Sequence, residues 1–270
     1  MKPYSSTAFL FLFLLACGCR ETGPFLPERS PSVTVSPSSV QTTIDPALQA
    51  FAGELFEGKE GYLVALDPAS GEILAMLGTS GGAWTPAVLT GFPEGGALPA
   101  GSPLRLVSWC ATLANRGFCY TPHLYRGDEV RKMDPVVEQP VISRTVEQMW
   151  WDVNNPPGTG ARAWIAHVDG LDVCGSVAEA GDGGLTDSVF FGFAPRDSPR
   201  IAVAVRIAGG GPGARYAAPI GSLVIERHLT GRIGRTDLAR RMKEARPLGK
   251  KSPETASCIH EGRNCKTHTK

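Results

Sequence analysis

The sequence has 270 residues, of which 42% are hydrophobic and 20% are charged, so it can form one large domain or two small ones with a real core. Its formal net charge is +1 and no basic stripe stands out, which argues against nucleic acid as a main partner. The 32 glycines and 22 prolines predict many loops.

The first 17 residues have the pattern of a secretory signal that ends at a lipid attachment site. Lys2 precedes the apolar run Ala8–Ala16, which is far shorter than the roughly 20 residues needed to span a bilayer. The run ends in Leu-Leu-Ala-Cys, which resembles the lipobox that is cut before a lipidated cysteine. We predict a signal peptide over residues 1–17, a lipid anchor on Cys17, and export to the envelope, facing the periplasm or the cell exterior. An ordinary signal peptide, or lipidation at Cys19, is the alternative.

Residues 18–41 are rich in Ser, Pro and Thr and contain few large apolar residues, which predicts a flexible tether. The next segment predicts a helix followed by a β-hairpin. Asp45 can cap a helix that begins at Pro46. Its apolar face consists of Leu48, Phe51 and Leu55. Tyr62–Leu66 and Glu72–Leu77 flank Asp-Pro-Ala-Ser-Gly, a typical hairpin turn.

The middle of the chain predicts a helix and then irregular structure. The helix begins at Pro103, directly after Ser102, and ends at Asn115–Gly117. For Tyr125–Gln148 we predict a loop with an edge strand, and for Thr145–Asp152 a short helix.

Three strands and a helix are predicted in the last third. Leu171–Ala180, Ser188–Ala194 and Ile201–Ile207 are short runs bounded by turn residues. The last two lack polar and apolar alternation, so both faces of their hairpin should be covered. Ala217–Thr230 has the apolar stripe of a helix, and Thr236–Arg246 is basic and helix-prone.

Several blocks of this sequence resemble the transpeptidase domain of class B penicillin-binding proteins, which is related to the serine β-lactamases. The matching blocks are Thr42–Met76, Ser102–Leu124, Phe190–Pro195, Arg200–Val205 and Tyr216–Gly231. The resemblance implies an α+β fold over residues 42–246, with an antiparallel five-stranded sheet flanked by helices. The hairpin Tyr62–Leu77 should then pair with the C-terminal strands, because alone it would be marginal in water.

The helical subdomain of that family is largely missing. In the family, well over a hundred residues follow the first hairpin and carry the nucleophilic Ser-x-x-Lys helix and a Ser-x-Asn loop, whereas here residues 78–100 intervene. We find no Ser-x-x-Lys followed by a Ser-x-Asn. Ser102 and Arg105 have the spacing of the nucleophile motif, with Arg in place of Lys, but the residues after Arg105 match a later family helix. Arg105 would also be a poor base, because a guanidinium keeps its proton.

The substrate-orienting strand is altered as well. Where the family has Lys-Thr-Gly-Thr, which orients the substrate carboxylate and helps to form the oxyanion hole, this chain has Ser176, Val177, Ala178 and Glu179. Ser176 and Glu179 could form a new polar pair that contacts a peptide on an exposed edge strand. The alternative is sequence drift after loss of the site. Glu179 could also discourage association of sheet edges.

The cysteines present a separate question. Besides Cys17, six cysteines are available for disulfides in an exported protein. We expect Cys110 and Cys174 to be buried apolar residues. The polar tail, residues 247–270, contains four metal-type ligands: Cys258, His260, Cys265 and His268. Their spacing is tighter than in zinc modules, so we expect no metal. Either a disulfide between Cys258 and Cys265 or an unstructured tail is compatible with the sequence.

The sequence therefore predicts an envelope lipoprotein with a truncated transpeptidase-like domain that has no catalytic residues and no cofactor. It would act as a binding or structural module in cell-wall biogenesis, with peptidoglycan or cell-wall synthesis proteins as partners and a lipid anchor in the membrane. Two alternatives stay open. One is a minimal penicillin-binding transpeptidase that retains acyl transfer on peptidoglycan stem peptides, and the other is a gene remnant without a function of its own.

Overall fold

The computed structural model describes residues 41–79, 103–133, 137–159, 161–181 and 185–247. The predicted signal peptide, the lipidation site Cys17, almost all of the tether, Ser102 and nearly all of the polar tail lie outside these ranges. The cysteines and histidines of the tail are among the residues outside.

One antiparallel sheet of five strands organises the structure. In chain order the strands are β1 (Gly61–Leu66), β2 (Ile73–Thr79), β5 (Cys174–Ala180), β6 (Asp187–Ala194) and β7 (Ile201–Ile207). Their order across the sheet is β2-β1-β7-β6-β5. The N-terminal hairpin thus pairs with the C-terminal strands through β1 and β7, which confirms the predicted topology. This pairing gives β1 two strand partners and buries its last four residues.

The closeness of β1 and β7 depends on a glycine at their end. Gly61 has φ +139°, and a Cβ atom there would lie 1.9 Å from the Arg206 carbonyl oxygen. Only glycine avoids this contact and adopts this φ without strain, so both β7 and the local backbone require glycine here.

Three helices cover one face of the sheet. They are α1 (Pro46–Phe56), α4 (Ala217–Thr230) and α5 (Thr236–Glu244), all close to the predicted ranges. Asp45 caps α1 as expected, because its Oδ1 accepts hydrogen bonds from the backbone N–H groups of Ala47 and Leu48 at 2.9 and 3.1 Å. Residues of all three helices share one buried cluster with β1, β6 and β7, so α1, α4 and α5 pack on the same face.

The helices α2 (Pro103–Ala114) and α3 (Gln139–Asn154) cover the other face. The prediction for the segment before residue 148 was wrong in part, since α3 begins at Gln139 and not near Thr145. Pro140 lies in the first turn, where its missing N–H costs nothing. The buried face of α3 consists of Ile142, Val146, Met149 and Val153, a helical spacing.

The predicted edge strand does not join the main sheet. Lys132–Met133 forms β4, which pairs with β3 (Cys119–Tyr120) in a separate two-stranded sheet. Within the described ranges, no helix combines the length and the apolar character needed to cross a membrane.

Candidate functional site

The altered strand β5 lies at the edge of the sheet, and α3 covers the beginning of it. Asn154, at the end of α3, donates from Nδ2 to the carbonyl oxygen of Val173 at 2.8 Å, next to the first residue of β5. Val153 packs in the cluster on one face of the sheet, whereas Met149 packs in the cluster on the other. The helix therefore passes beside β5 at its N-terminal end, and exposure rises toward Ala180.

The side chains of the four altered positions lie alternately on the two faces of the sheet. Ser176 pairs with Phe191 of β6, whose ring belongs to the cluster under α2 and α3. Val177 packs against the opposite cluster, under α4. Because side chains alternate along a strand, Glu179 lies on the same face as Val177 and not on that of Ser176. Ser176 and Glu179 therefore lie on opposite faces and do not form a pair with each other, which disfavours the polar pair that was one of the two interpretations of these positions.

Ser176 replaces the family lysine with a short, buried side chain. It is 7% exposed, and its hydroxyl forms no hydrogen bond with any residue that the structure describes. A serine nucleophile needs a base within hydrogen-bond reach to take its proton. No described residue supplies one to Ser176, which argues against its activation.

Glu179 is exposed near the end of β5. Its only hydrogen bond among the described residues is a long one, 3.4 Å, from the Thr186 hydroxyl to Oε2. It forms no ion pair with the described part of the chain. Its carboxylate therefore adds an uncompensated negative charge beside the half-buried residues Val177 and Ala178.

A glycine-rich loop, residues 209–213, packs against β5 and β6. The Ser188 hydroxyl donates to the carbonyl oxygen of Pro212 at 2.9 Å and accepts from the N–H of Ala217 at 3.1 Å. A Cβ atom on Gly213 would lie 2.8 Å from the Cβ of Val177 and 2.4 Å from the Val189 carbonyl oxygen. The loop thus touches the backbone of β6 and the side chain of β5.

An ion pair between a buried carboxylate and a partly exposed arginine anchors the same loop at the start of β6. Asp187 accepts from the Gly209 N–H at 2.9 Å and pairs with Arg206 of β7. The sequence analysis missed this network and the role of Ser188. The glycine run over residues 209–213 is the signal in the sequence that the chain passes close to another element there.

The cysteines near the site are not nucleophiles. Cys110 and Cys174 are completely buried thiols, as predicted. Burial raises the pKa of Cys174 to about 12 and that of Cys110 well above its usual range. Neither residue is a thiolate at neutral pH, and the thiolate is the reactive form. The structure pairs neither of them in a disulfide.

No group of three or more His, Cys, Asp and Glu side chains in the described ranges is arranged to hold a metal ion.

Comparison with known proteins identifies related domains. A family model described as "Penicillin binding protein transpeptidase domain" matches residues 92–226, which is half of the chain. Penicillin-binding protein A from Mycobacterium tuberculosis, solved as a ceftriaxone acyl-enzyme, is 16% identical with a TM-score of 0.55 over 71% of this chain and 80% of that one. No curated protein sequence matches the chain significantly.

Two further solved structures are similar to the same extent. Penicillin-binding protein 2 from Pseudomonas aeruginosa, in complex with WCK 5153, is 17% identical with a TM-score of 0.54, covering 71% of this chain and 76% of that one. The D,D-transpeptidase domain of a peptidoglycan glycosyltransferase from Eggerthella lenta is 15% identical with a TM-score of 0.54, covering 71% and 83%. At these identities the similarity shows a shared fold, which is the five-stranded α+β arrangement described above.

Proposed function

Because the chain belongs to the family of penicillin-binding protein transpeptidase domains, we propose that it is a catalytically inactive member that serves as a binding or structural module of the cell envelope. The observation that carries this proposal is the altered strand β5, with a buried Ser176 and an exposed Glu179 at positions where the family has lysine and threonine.

The absence of the nucleophile and its base supports inactivity. No serine in this sequence has a lysine three residues later, and no serine has an asparagine two residues later. Acyl transfer needs a nucleophile, a base that activates it and donors aimed at the developing oxyanion. Loss of the nucleophile or its base in a serine hydrolase lowers kcat by about a millionfold.

The position of β5 supports a role in binding. An edge strand presents backbone N–H and C=O groups that an extended peptide can pair with. On β5 this surface lies toward Ala180, beyond the part that α3 covers. The Ser188 and Asp187 contacts hold the strands in place, so the edge is preorganised for a peptide.

Glu179 determines which peptides fit. A peptide that pairs with β5 and ends in a free carboxylate would bring like charges together, whereas its C-terminal amide would not. Two charges 4 Å apart in water repel by about 1 kcal/mol, which corresponds to about fivefold in affinity. We expect the amide of a peptidoglycan stem peptide to bind about fivefold more tightly than the free acid.

Titration of both peptides against the full chain, by calorimetry, tests this. Glu179→Gln should remove most of the difference between the two peptides, because it removes the charge and keeps the shape. Glu138→Gln is the matched control, since Glu138 is exposed and lies far from Glu179. Glu138 precedes α3, whose first residue contacts Arg116, and Arg116 in turn contacts a residue just after the C-terminal end of β6, which is the end away from Glu179. Equal binding of acid and amide to the unmodified chain, or no binding of either, would contradict the proposal.

The envelope location is a separate part of the proposal and rests on the sequence Leu14–Cys17. We expect the mature protein to begin at Cys17, to carry lipid there, and to sediment with membranes. Mass spectrometry of the N-terminal peptide checks this. Cys17→Ser should release the protein from the membrane fraction, whereas Cys19→Ser should not. An unlipidated N-terminus at any other residue would refute lipid anchoring.

A further inference from the structure

A groove between α1 and α5 has no role in the proposed function. It has a volume of about 720 Å³. All of its lining residues lie outside the range 92–226 that the family model matches. Because α1 packs against β2, the groove is also at the opposite edge of the sheet from β5. It is therefore a surface separate from the altered strand.

The groove has an apolar lining formed by both helices and the turn before α5. Ala47, Ala50 and Phe51 line it from α1, and Ile233 and Ala239 line it from the other side. Ala47 and Ala50 are exposed and lie one helical turn apart, so another helix could approach α1 closely at this place.

Positive charge surrounds this apolar lining. Four cationic side chains line the groove, Arg227, Arg232, Arg240 and Lys243, against the single carboxylate of Glu54. The carboxylate is already neutralised, because Lys243 Nζ lies 2.5 Å from it. The groove therefore carries an excess of positive charge.

Two of these cations, Arg232 and Arg240, can form ion pairs with a ligand at little cost. The Arg232 side chain forms no hydrogen bond or ion pair within the described ranges. Arg240 contacts Asp237 at 3.4 Å and Glu244 at 3.8 Å on its own helix, and all three side chains are exposed. Exposed pairs of this kind contribute little, so exchange for another carboxylate costs little.

We propose that the α1–α5 groove binds an acidic amphipathic helix of a partner protein. An apolar groove between two helices accepts the apolar face of a third helix, and carboxylates on the flanks of that helix would reach Arg232 and Arg240. Residues 248–270 of this chain do not supply such a helix, since they contain five Lys and Arg against two Glu. A second copy would oppose positive charge to positive charge.

Fluorescence anisotropy with the full chain and a labelled synthetic peptide tests the proposal. The peptide is an amphipathic helix of about 14 residues with Leu on one face and Glu on the other, about 21 Å long. We expect saturable binding that weakens with added salt. Arg232→Glu should weaken it by about tenfold, whereas Arg144→Glu, the same charge change at an exposed position on α3, should change it by less than about twofold.

A second variant tests the groove without changing its charge. Ala50→Trp should block the approach of a helix to α1 and abolish peptide binding, while circular dichroism stays unchanged because Ala50 is exposed. Absence of peptide binding would overturn the proposal, as would equal losses in Arg232→Glu and Arg144→Glu. Two other results would also overturn it. One is binding to vesicles of equal parts phosphatidylglycerol and phosphatidylcholine but not to the peptide, and the other is a dimer that Ala50→Trp disrupts while the peptide has no effect.

Discussion

Incubation of the full chain with excess penicillin is expected to leave its intact mass unchanged. A β-lactam is opened by the same serine attack that the natural substrate undergoes, so it reports on nucleophile and base together. Ser176 is buried without a base among the described residues, and the nearby thiols are protonated because burial raises the pKa values of Cys110 and Cys174. The expected extent of acylation is therefore zero rather than stoichiometric.

Weak reversible binding is the second part of this expectation. Penicillin carries a carboxylate, which the family receives at the Lys-Thr-Gly strand, and here Glu179 contributes a negative charge at that strand. A stoichiometric mass increase that disappears in Ser102→Ala or Ser176→Ala would show that an acylable serine survives. That result would favour the minimal transpeptidase over the inactive module, because it requires an activated nucleophile.

Phe190→Ala is expected to cost about 3–5 kcal/mol of unfolding free energy, which is a large part of the 5–15 kcal/mol typical of a domain. Phe190 is fully buried, and its ring lies where three glycines leave room for it, one each on β5, β6 and α4. Cβ atoms built on Gly175, Gly192 and Gly221 would lie 2.6, 2.8 and 2.5 Å from the ring. Glycines have no side chains that could move into the cavity, so the cavity stays open and the full loss of unfolding free energy is expected.

Urea denaturation measures this loss. Phe118→Ala is the matched control, because Phe118 is a half-buried ring beside the small sheet, and its truncation should cost less than half as much. A double-mutant cycle sharpens the test. Gly221→Ala should destabilise the unmodified chain by about 1–3 kcal/mol, because the ring must shift, but should be tolerated in the Phe190→Ala background. Additive effects would contradict the close contact of ring and glycine.

Local signals were sufficient for most of the secondary structure. Asp45 followed by Pro46 predicted the start of α1, and the turn residues around Ser188–Ala194 and Ile201–Ile207 predicted the β6–β7 hairpin. These features depend on capping and turn chemistry within a few residues, which a sequence displays directly. The start of α3 differs from the prediction of a loop over Tyr125–Gln148, and Pro140 does not prevent it, because a proline in the first turn is compatible with a helix.

The pairing of the N-terminal hairpin with the C-terminal strands was predicted from the family resemblance and not from the strands themselves. The pairing of β1 with β7 joins segments that are more than a hundred residues apart, and no local propensity encodes it. It is set by burial, because the hairpin of β1 and β2 needs a further strand to cover its apolar residues.

The sequence by itself determined which motifs are missing, because it contains no Ser-x-x-Lys and no Ser-x-Asn. Only the tertiary structure decided how the remaining residues are used. It decides which face each side chain of β5 meets, since the pairing with β6 places Ser176 beside the cluster under α2 and α3 and leaves Val177 and Glu179 on the face of the α4 cluster. It also brings Arg232 and Ala50 to one groove, because α1 and α5 lie at opposite ends of the domain sequence and meet only through packing around α4 and the sheet.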